Sequence, residues 1–144
     1  VDVLKYQVNF FVNNRIKLDA IILLQPTSPF RSNDLIRRAI SCFEKSKRSS
    51  LATFSPIEKK ICYINDNKFK PLNYEPGQRS QDLSPLYYEN GSIYITKCEN
   101  ILAGKIITKD VYPMICKDLY STIDIDYEVD FNNANYILSN NFYD

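Results

Sequence analysis

Two aspartates one residue apart, in Ser121-Thr122-Ile123-Asp124-Ile125-Asp126, have the types and spacing to do chemistry. In extended backbone, residues i and i+2 point to the same side. Asp124 and Asp126 would then face one point while Ile123 and Ile125 turn to the core. Converging carboxylates recruit a hard divalent cation, and Mg²⁺ typically takes one or two of them plus substrate phosphates. The same run also suits a solvated strand end leading into a helix, since Glu128 and Asp130 favour a helix N-terminus. A second polar constellation lies upstream, where Asp19-Ala20-Ile21-Ile22 is followed by Leu23-Leu24-Gln25-Pro26-Thr27-Ser28-Pro29-Phe30-Arg31. Pro26 and Pro29 fix φ twice and keep Gln25 and Ser28 out of the helical region. A rigid loop offering an amide, two hydroxyls and a guanidinium suits a polyhydroxylated, anionic ligand. It equally suits a strand-to-helix connector in which Ser32 or Asn33 caps the next helix.

These groups need elements to hold them. The isoleucine-bearing run at 18–24, bounded by Pro and Ser, reads as a buried parallel strand, and open α/β sheets place ligands at the carboxyl edge of such strands. Residues 1–14 read as a helix with Leu4, Val8, Phe11 and Val12 at helical spacing. Residues 33–47 read as an amphipathic helix with Leu35, Ile36, Ala39, Ile40 and Phe43 inward. Strands are expected at 50–57 and 60–65, the second closed by a turn at Asp66-Asn67. Residues 70–88, with Pro71, Pro76, Gly77 and Pro85, form a long irregular excursion of the kind that tends to be functional. A strand at 92–96, a short helix at 99–103 ended by Gly104, and an edge strand at 112–115 marked by Pro113 follow. A helix at 128–140, with Ala134, Ile137 and Leu138 on one face, closes the chain. The alternation of strands and helices predicts a three-layer α/β architecture in one domain, residues 1–144.

Composition removes several classes of function. The chain has no histidine, which excludes His-based triads, His general bases and His-ligated metals. Its three glycines, Gly77, Gly91 and Gly104, are far apart, so it contains neither a Walker loop nor a dinucleotide fingerprint. A net charge of +1 without any basic block gives no electrostatic footprint for nucleic acid. No apolar run has the length of a membrane span and no signal peptide is apparent, so a cytoplasmic location is expected. Cys42, Cys62, Cys98 and Cys116 lack any C-x-x-C pairing, which favours free thiols over a disulfide framework or zinc site.

The loop motif resembles a signature of the acylneuraminate cytidylyltransferases, enzymes that make CMP-sialic acid and relatives such as CMP-legionaminic acid. Two later segments resemble the same family in the same order: Gln81-Asp82-Leu83-Ser84-Pro85-Leu86-Tyr87-Tyr88-Glu89-Asn90-Gly91-Ser92-Ile93-Tyr94-Ile95, and Ser121–Asp126 followed by Glu128 and Asp130-Phe131. The resemblance runs from about residue 18 to the end. It implies part of a Rossmann-like nucleotide-diphospho-sugar transferase fold, with a mostly parallel sheet and a dimerisation arm over 57–88. It also implies transfer of a cytidylyl group from CTP to the anomeric hydroxyl of a nonulosonic acid, with release of pyrophosphate, by a homodimer. On this pattern Asp126 holds the catalytic Mg²⁺ (or Mn²⁺) and Asp124 assists. Gln25, Thr27, Ser28, Asn90 and Tyr94 position the sugar, and Arg79 and Gln81 lie near its carboxylate or the phosphates. Read without the family, Asn90 is a turn residue before Gly91 and Tyr94 is a core aromatic.

The sequence departs from the family in three places. Ser80 stands where many relatives carry arginine directly before the glutamine; Arg79 comes one residue earlier, and such a shift in extended backbone reverses its side. Tyr88 stands where some bacterial relatives have another arginine. Nothing before residue 18 resembles the glycine- and lysine-containing loop that grips CTP phosphates. The expectation is therefore the C-terminal part of a longer enzyme, weak or inactive by itself. The alternative is a truncated, degenerate paralogue serving as a dimerisation or regulatory partner.

Overall fold

The computed structural model describes residues 1–140, 142 and 143. Ten elements follow in chain order: α1 (Asp2–Asn13), β1 (Ala20–Leu23), α2 (Asn33–Ser46), β2 (Ser50–Ile57), β3 (Cys62–Asn65), β4 (Lys68–Pro71), β5 (Leu86–Lys97), α3 (Cys98–Leu102), β6 (Tyr112–Ile115) and α4 (Glu128–Ser139). Single 3₁₀ turns at Ser80–Asp82 and Tyr120–Thr122 complete the list among the described residues.

The main sheet has the order β1-β5-β2-β6. β5 runs antiparallel to both neighbours, while β2 and β6 are parallel. β1, β2 and β6 therefore share one direction and β5 opposes them, which makes the sheet mixed. The reversal has a physical source. β2 reaches β5 through an excursion on one end of the sheet, and an antiparallel neighbour needs no crossover helix. β1 is accordingly an edge strand of the described sheet, paired only with β5, and not the parallel strand its isoleucines suggest; Ile22 stays 39% exposed. β6 forms the other edge, where Pro113 costs no ladder bond.

Alternation along the strands builds two cores. Leu51, Ile93, Ile95, Met114 and Cys116 meet Leu35 and Ala39 of α2 on one face. On the other face Ile21 packs with Val8 of α1 and with Cys98 and Ile101 of α3. This gives helix, sheet, helix in three layers, as the pattern predicts. α2 begins where Ser32 Oγ accepts the Leu35 N–H at 3.1 Å, and ends on Lys47 in the left-handed region. Some expected inward positions face solvent instead. Val12, Ile40 and Leu138 are all exposed, at the margins of the apolar stripes where neighbouring layers end.

The excursion between β2 and β5 is more regular than its prolines suggest. β3 and β4 form a hairpin around Asp66-Asn67, both at positive φ as a tight two-residue turn requires. Asn73, 2% exposed, fastens its base: Oδ1 accepts the Ile61 N–H at 2.8 Å and Nδ2 donates to the Lys59 carbonyl at 2.9 Å. The strand expected at 92–96 begins six residues earlier, because Leu86–Glu89 continue the pairing with Phe54–Ile57 across an irregularity near Ala52/Phe54. That irregularity, beside Asn90-Gly91, is where the site lies.

Candidate active site

The carboxyl end of β1, the middle of β5 and the segment before α4 meet at one point. The decisive link is a main-chain hydrogen bond of 2.7 Å from the Ile125 N–H to the Thr27 carbonyl. It joins the proline-bounded loop to the aspartate pair directly. Asp124 and Asp126 are exposed while Ile123 and Ile125 are partly buried, the alternation expected of extended backbone, although no strand forms there. Asp130 serves the helix: its Oδ2 accepts the N–H groups of Tyr127 at 2.9 Å and Asp126 at 3.2 Å. Capping thus falls to Asp130, and among the described residues neither Asp124 nor Asp126 spends its carboxylate on a hydrogen bond or ion pair. No group of three His, Cys, Asp or Glu side chains converges among the described residues. Two carboxylates left free in this way are of the type that could hold a hard divalent cation, since Mg²⁺ typically takes one or two carboxylates and completes its shell with other oxygens.

The loop is held by its own arginine. Arg31 Nη1 donates to the carbonyls of Gln25 (2.7 Å) and Ser28, with a longer contact to that of Ser92 (3.5 Å) on β5. The guanidinium that the sequence offers to a ligand is instead turned onto the main chain. Burial draws it below its ordinary pKa, and Tyr143 opposes that shift. With the frame fixed, Gln25 is partly exposed, Thr27 exposed and Ser28 buried. The hydroxyls of Ser28 and Ser92 are buried without a partner among the described residues.

β5 supplies the facing wall. Gly91, at φ +70°, lies close under the Gln25 amide: a Cβ there would stand 2.6 Å from Gln25 Oε1, so that side chain would have to move aside. Asn90, 5% exposed, shapes this turn from beneath. Its Oδ1 accepts the Thr53 hydroxyl at 2.6 Å and the Ser92 N–H at 3.1 Å, and its Nδ2 donates to Ser55 Oγ at 2.9 Å. Tyr94 is partly buried, and its hydroxyl donates to Glu89 Oε2 at 3.4 Å. Burial, then the charge and hydrogen bond of Glu89, and lastly the charge of Asp124, raise the Tyr94 phenol above its ordinary value. The phenol therefore stays a proton donor at neutral pH, beside the aspartate pair.

Comparison with known proteins decides the kinship. No family model matches the sequence. The chain is 32% identical over 119 residues to the CMP-N,N'-diacetyllegionaminic acid synthase of Legionella pneumophila, covering 78% of this chain and 51% of that protein. It is also 32% identical over 116 residues to the N-acylneuraminate cytidylyltransferase of Streptococcus agalactiae, covering 76% of this chain and 28% of that protein. The chain is a relative of the acylneuraminate cytidylyltransferases. It spans about half the length, or less, of the curated relatives it matches. A solved structure, the 4-diphosphocytidyl-2C-methyl-D-erythritol synthase of Anaerococcus prevotii, superposes with a TM-score of 0.60 at 14% identity, covering 91% of this chain and 64% of that one. That likeness establishes the Rossmann-like α/β fold.

In this cytidylyltransferase relative, Gln25, Thr27, Ser28, Asn90, Tyr94, Asp124 and Asp126 gather at one sheet edge. Arg79 and Gln81 do not join them. Both are exposed on the arm, and Gln81 lines a cleft of about 480 Å³ with Pro56, Ile57, Glu58 and Leu86. Sequence reading missed Glu89 as the partner of Tyr94, and the Thr53-Asn90-Ser55 network. The signal for the network was present in polar residues alternating within the apolar strand Ser50–Ile57.

Proposed function

We propose that this chain is the sugar- and metal-binding part of a cytidylyltransferase that joins the CMP moiety of CTP to a nonulosonic acid and releases pyrophosphate. The observation that supports this reading is the Thr27–Ile125 hydrogen bond, because it ties the Gln25–Arg31 loop to the segment with two uncommitted carboxylates. The names of the curated relatives support the substrate class.

In this reading the Gln25 amide and the Thr27 hydroxyl bind sugar hydroxyls, while the Ser28 hydroxyl lies buried behind them. Asn90 serves through the turn that brings Gly91 under Gln25. Tyr94 keeps its proton and orients the sugar, with Glu89 fixing the phenol. Asp126, assisted by Asp124, would hold Mg²⁺ or Mn²⁺, which would supply neutralisation of phosphate charge. Aligning the sugar hydroxyl with the α-phosphorus is the chain's main contribution, and such positioning commonly accounts for a large share of a barrier. Arg79 and Gln81 act on a neighbouring copy: they stand on the arm of residues 57–88, whose hairpin exposes Tyr63, Ile64 and Phe69. The proposed assembly is a homodimer formed through that arm.

The test is pyrophosphate release from CTP with sialic and legionaminic acids and Mg²⁺, for residues 1–144 and for the product of the reading frame extended upstream. Turnover in the extended form, lost in Asp126→Asn, is the expected result. Folded but inactive protein in both forms would overturn the reading in favour of a degenerate dimerisation or regulatory partner, the alternative to which Ser80 points.

A further inference from the structure

Next to the site, three aromatic rings from distant parts of the chain close on one another. Phe30 ends the proline-bounded loop and is 2% exposed. Tyr120 opens the 3₁₀ turn four residues before Asp124. Tyr143 arrives from beyond α4, where the Phe142 N–H donates to the Ile137 carbonyl at 3.2 Å and turns the chain back. The Tyr143 ring meets Phe30 edge-on at 5.0 Å between centroids and Tyr120 edge-on at 5.6 Å, whereas Phe30 and Tyr120 themselves stand farther apart at 6.2 Å and tilted. The third ring is therefore the one that makes the better-formed contact with each of the other two.

From this geometry we infer that Tyr143 is a positioning residue: its ring is a clasp that fastens the Gln25–Arg31 loop to the segment carrying Asp124 and Asp126. The single main-chain bond from Ile125 to Thr27 spans the same two segments on the ligand side. A lone exposed-side hydrogen bond contributes little by itself, and local opening of such a link is governed by the apolar contacts behind it. Among the described residues the buried hydroxyl of Tyr143 has no hydrogen-bond partner, although Asp118 and Arg31 both lie close enough to influence its charge. The clasp therefore acts through the ring and not through a polar bond. Its service to catalysis rests on the function proposed above, but its mechanical role does not.

Hydrogen exchange of the Ile125 amide tests it on the whole 144-residue chain. Tyr143→Ala is expected to speed that exchange about tenfold beyond any change in global stability, as loss of two ring contacts implies. Tyr143→Phe keeps the ring and is expected to retain the slow exchange. Ile101→Val, in the separate α1–α3 core, controls for general loosening and is expected to move Ile125 no more than it moves the global value. Unchanged exchange in Tyr143→Ala, or equally fast exchange in Tyr143→Phe, overturns the clasp. Mn²⁺ titration by electron paramagnetic resonance then separates the two readings. Weaker Mn²⁺ binding in Tyr143→Ala links the clasp to the metal site. A wild-type chain that binds no Mn²⁺ overturns the metal assignment while the exchange result still decides the clasp.

Discussion

Replacing Gly91 with alanine separates backbone strain from displacement of a single functional group. At φ +70° a residue with a Cβ pays about 1–2 kcal/mol. The new Cβ would also stand 2.6 Å from Gln25 Oε1, the far end of a flexible side chain that can swing aside. Forcing that amide from its rotamer adds about 0.5–1.5 kcal/mol. Both terms together lower the melting temperature by roughly 3–10 °C for a domain of this size. Loss of one amide hydrogen bond to a sugar hydroxyl weakens nonulosonic acid binding by about fivefold. Urea denaturation and titration calorimetry on wild type, Gly91→Ala, Gln25→Ala and the double variant form the cycle. In the Gln25→Ala background the collision is gone, so the alanine should cost only its strain and should weaken binding no further. Gly91→Asn, which tolerates positive φ, should keep the binding defect with less loss of stability. Additive effects in the double variant, for stability and for binding alike, would refute the reasoning, since Gln25 would then not be what Gly91 makes room for.

Other outcomes follow from the same geometry. Asn90→Ala takes away the partner of the Ser55 hydroxyl and of the Ser92 N–H and leaves the Thr53 hydroxyl to Ile93, whose carbonyl it reaches at 3.3 Å and whose N–H it accepts at 2.9 Å, and should cost about 2 kcal/mol in urea unfolding. Asp126→Asn should abolish Mn²⁺ binding at unchanged stability, whereas Asp130→Ala should cost about 1 kcal/mol of helix stability and spare the metal; the reverse pattern would exchange their roles. The Asp110 carboxyl is held down at about 2, first by the Thr108 hydroxyl and then by the Ser49 N–H. A depressed carboxyl contributes stability that is complete above its ordinary value near 3.8 and is lost as pH falls through about 2. Asp110→Asn should therefore flatten the acid end of the stability–pH curve, and a slope equal to wild type between pH 4 and pH 2 would contradict the assignment.

Much of the fold could be read because local signals and tertiary context agree. Ser32 caps α2, the Asp66-Asn67 pair turns the hairpin, and Pro113 marks an edge strand. The reversed direction of β5 could not be read, because periodicity reports which face a residue occupies and is silent on which way its strand runs. Its early start was hidden for a related reason: Leu86–Glu89 are mostly exposed and paired at one end, so they lack the apolar alternation that marks Ile93 and Ile95. At the site, the family resemblance and not the residue types grouped Gln25, Tyr94 and the aspartates, and the structure brings them close together. The role of Arg31 stayed open because a guanidinium looks the same in sequence whether it faces a ligand or a carbonyl. Glu89 and Tyr143 act through partners far away in the chain or across a bulge, a relation that spacing alone does not encode.

Among the described residues Arg31 binds main-chain oxygens alone, so the scaffold it creates does not depend on which side chains the loop carries at its ligand face. Positions 25 and 27, whose side chains are not buried, can therefore be rewritten one at a time without unbuilding the loop, provided the two prolines and the arginine stay. Under the function proposed above, substrate preference is open to gradual drift, and a combinatorial library confined to those two positions would sample new sugar acids on an unchanged frame.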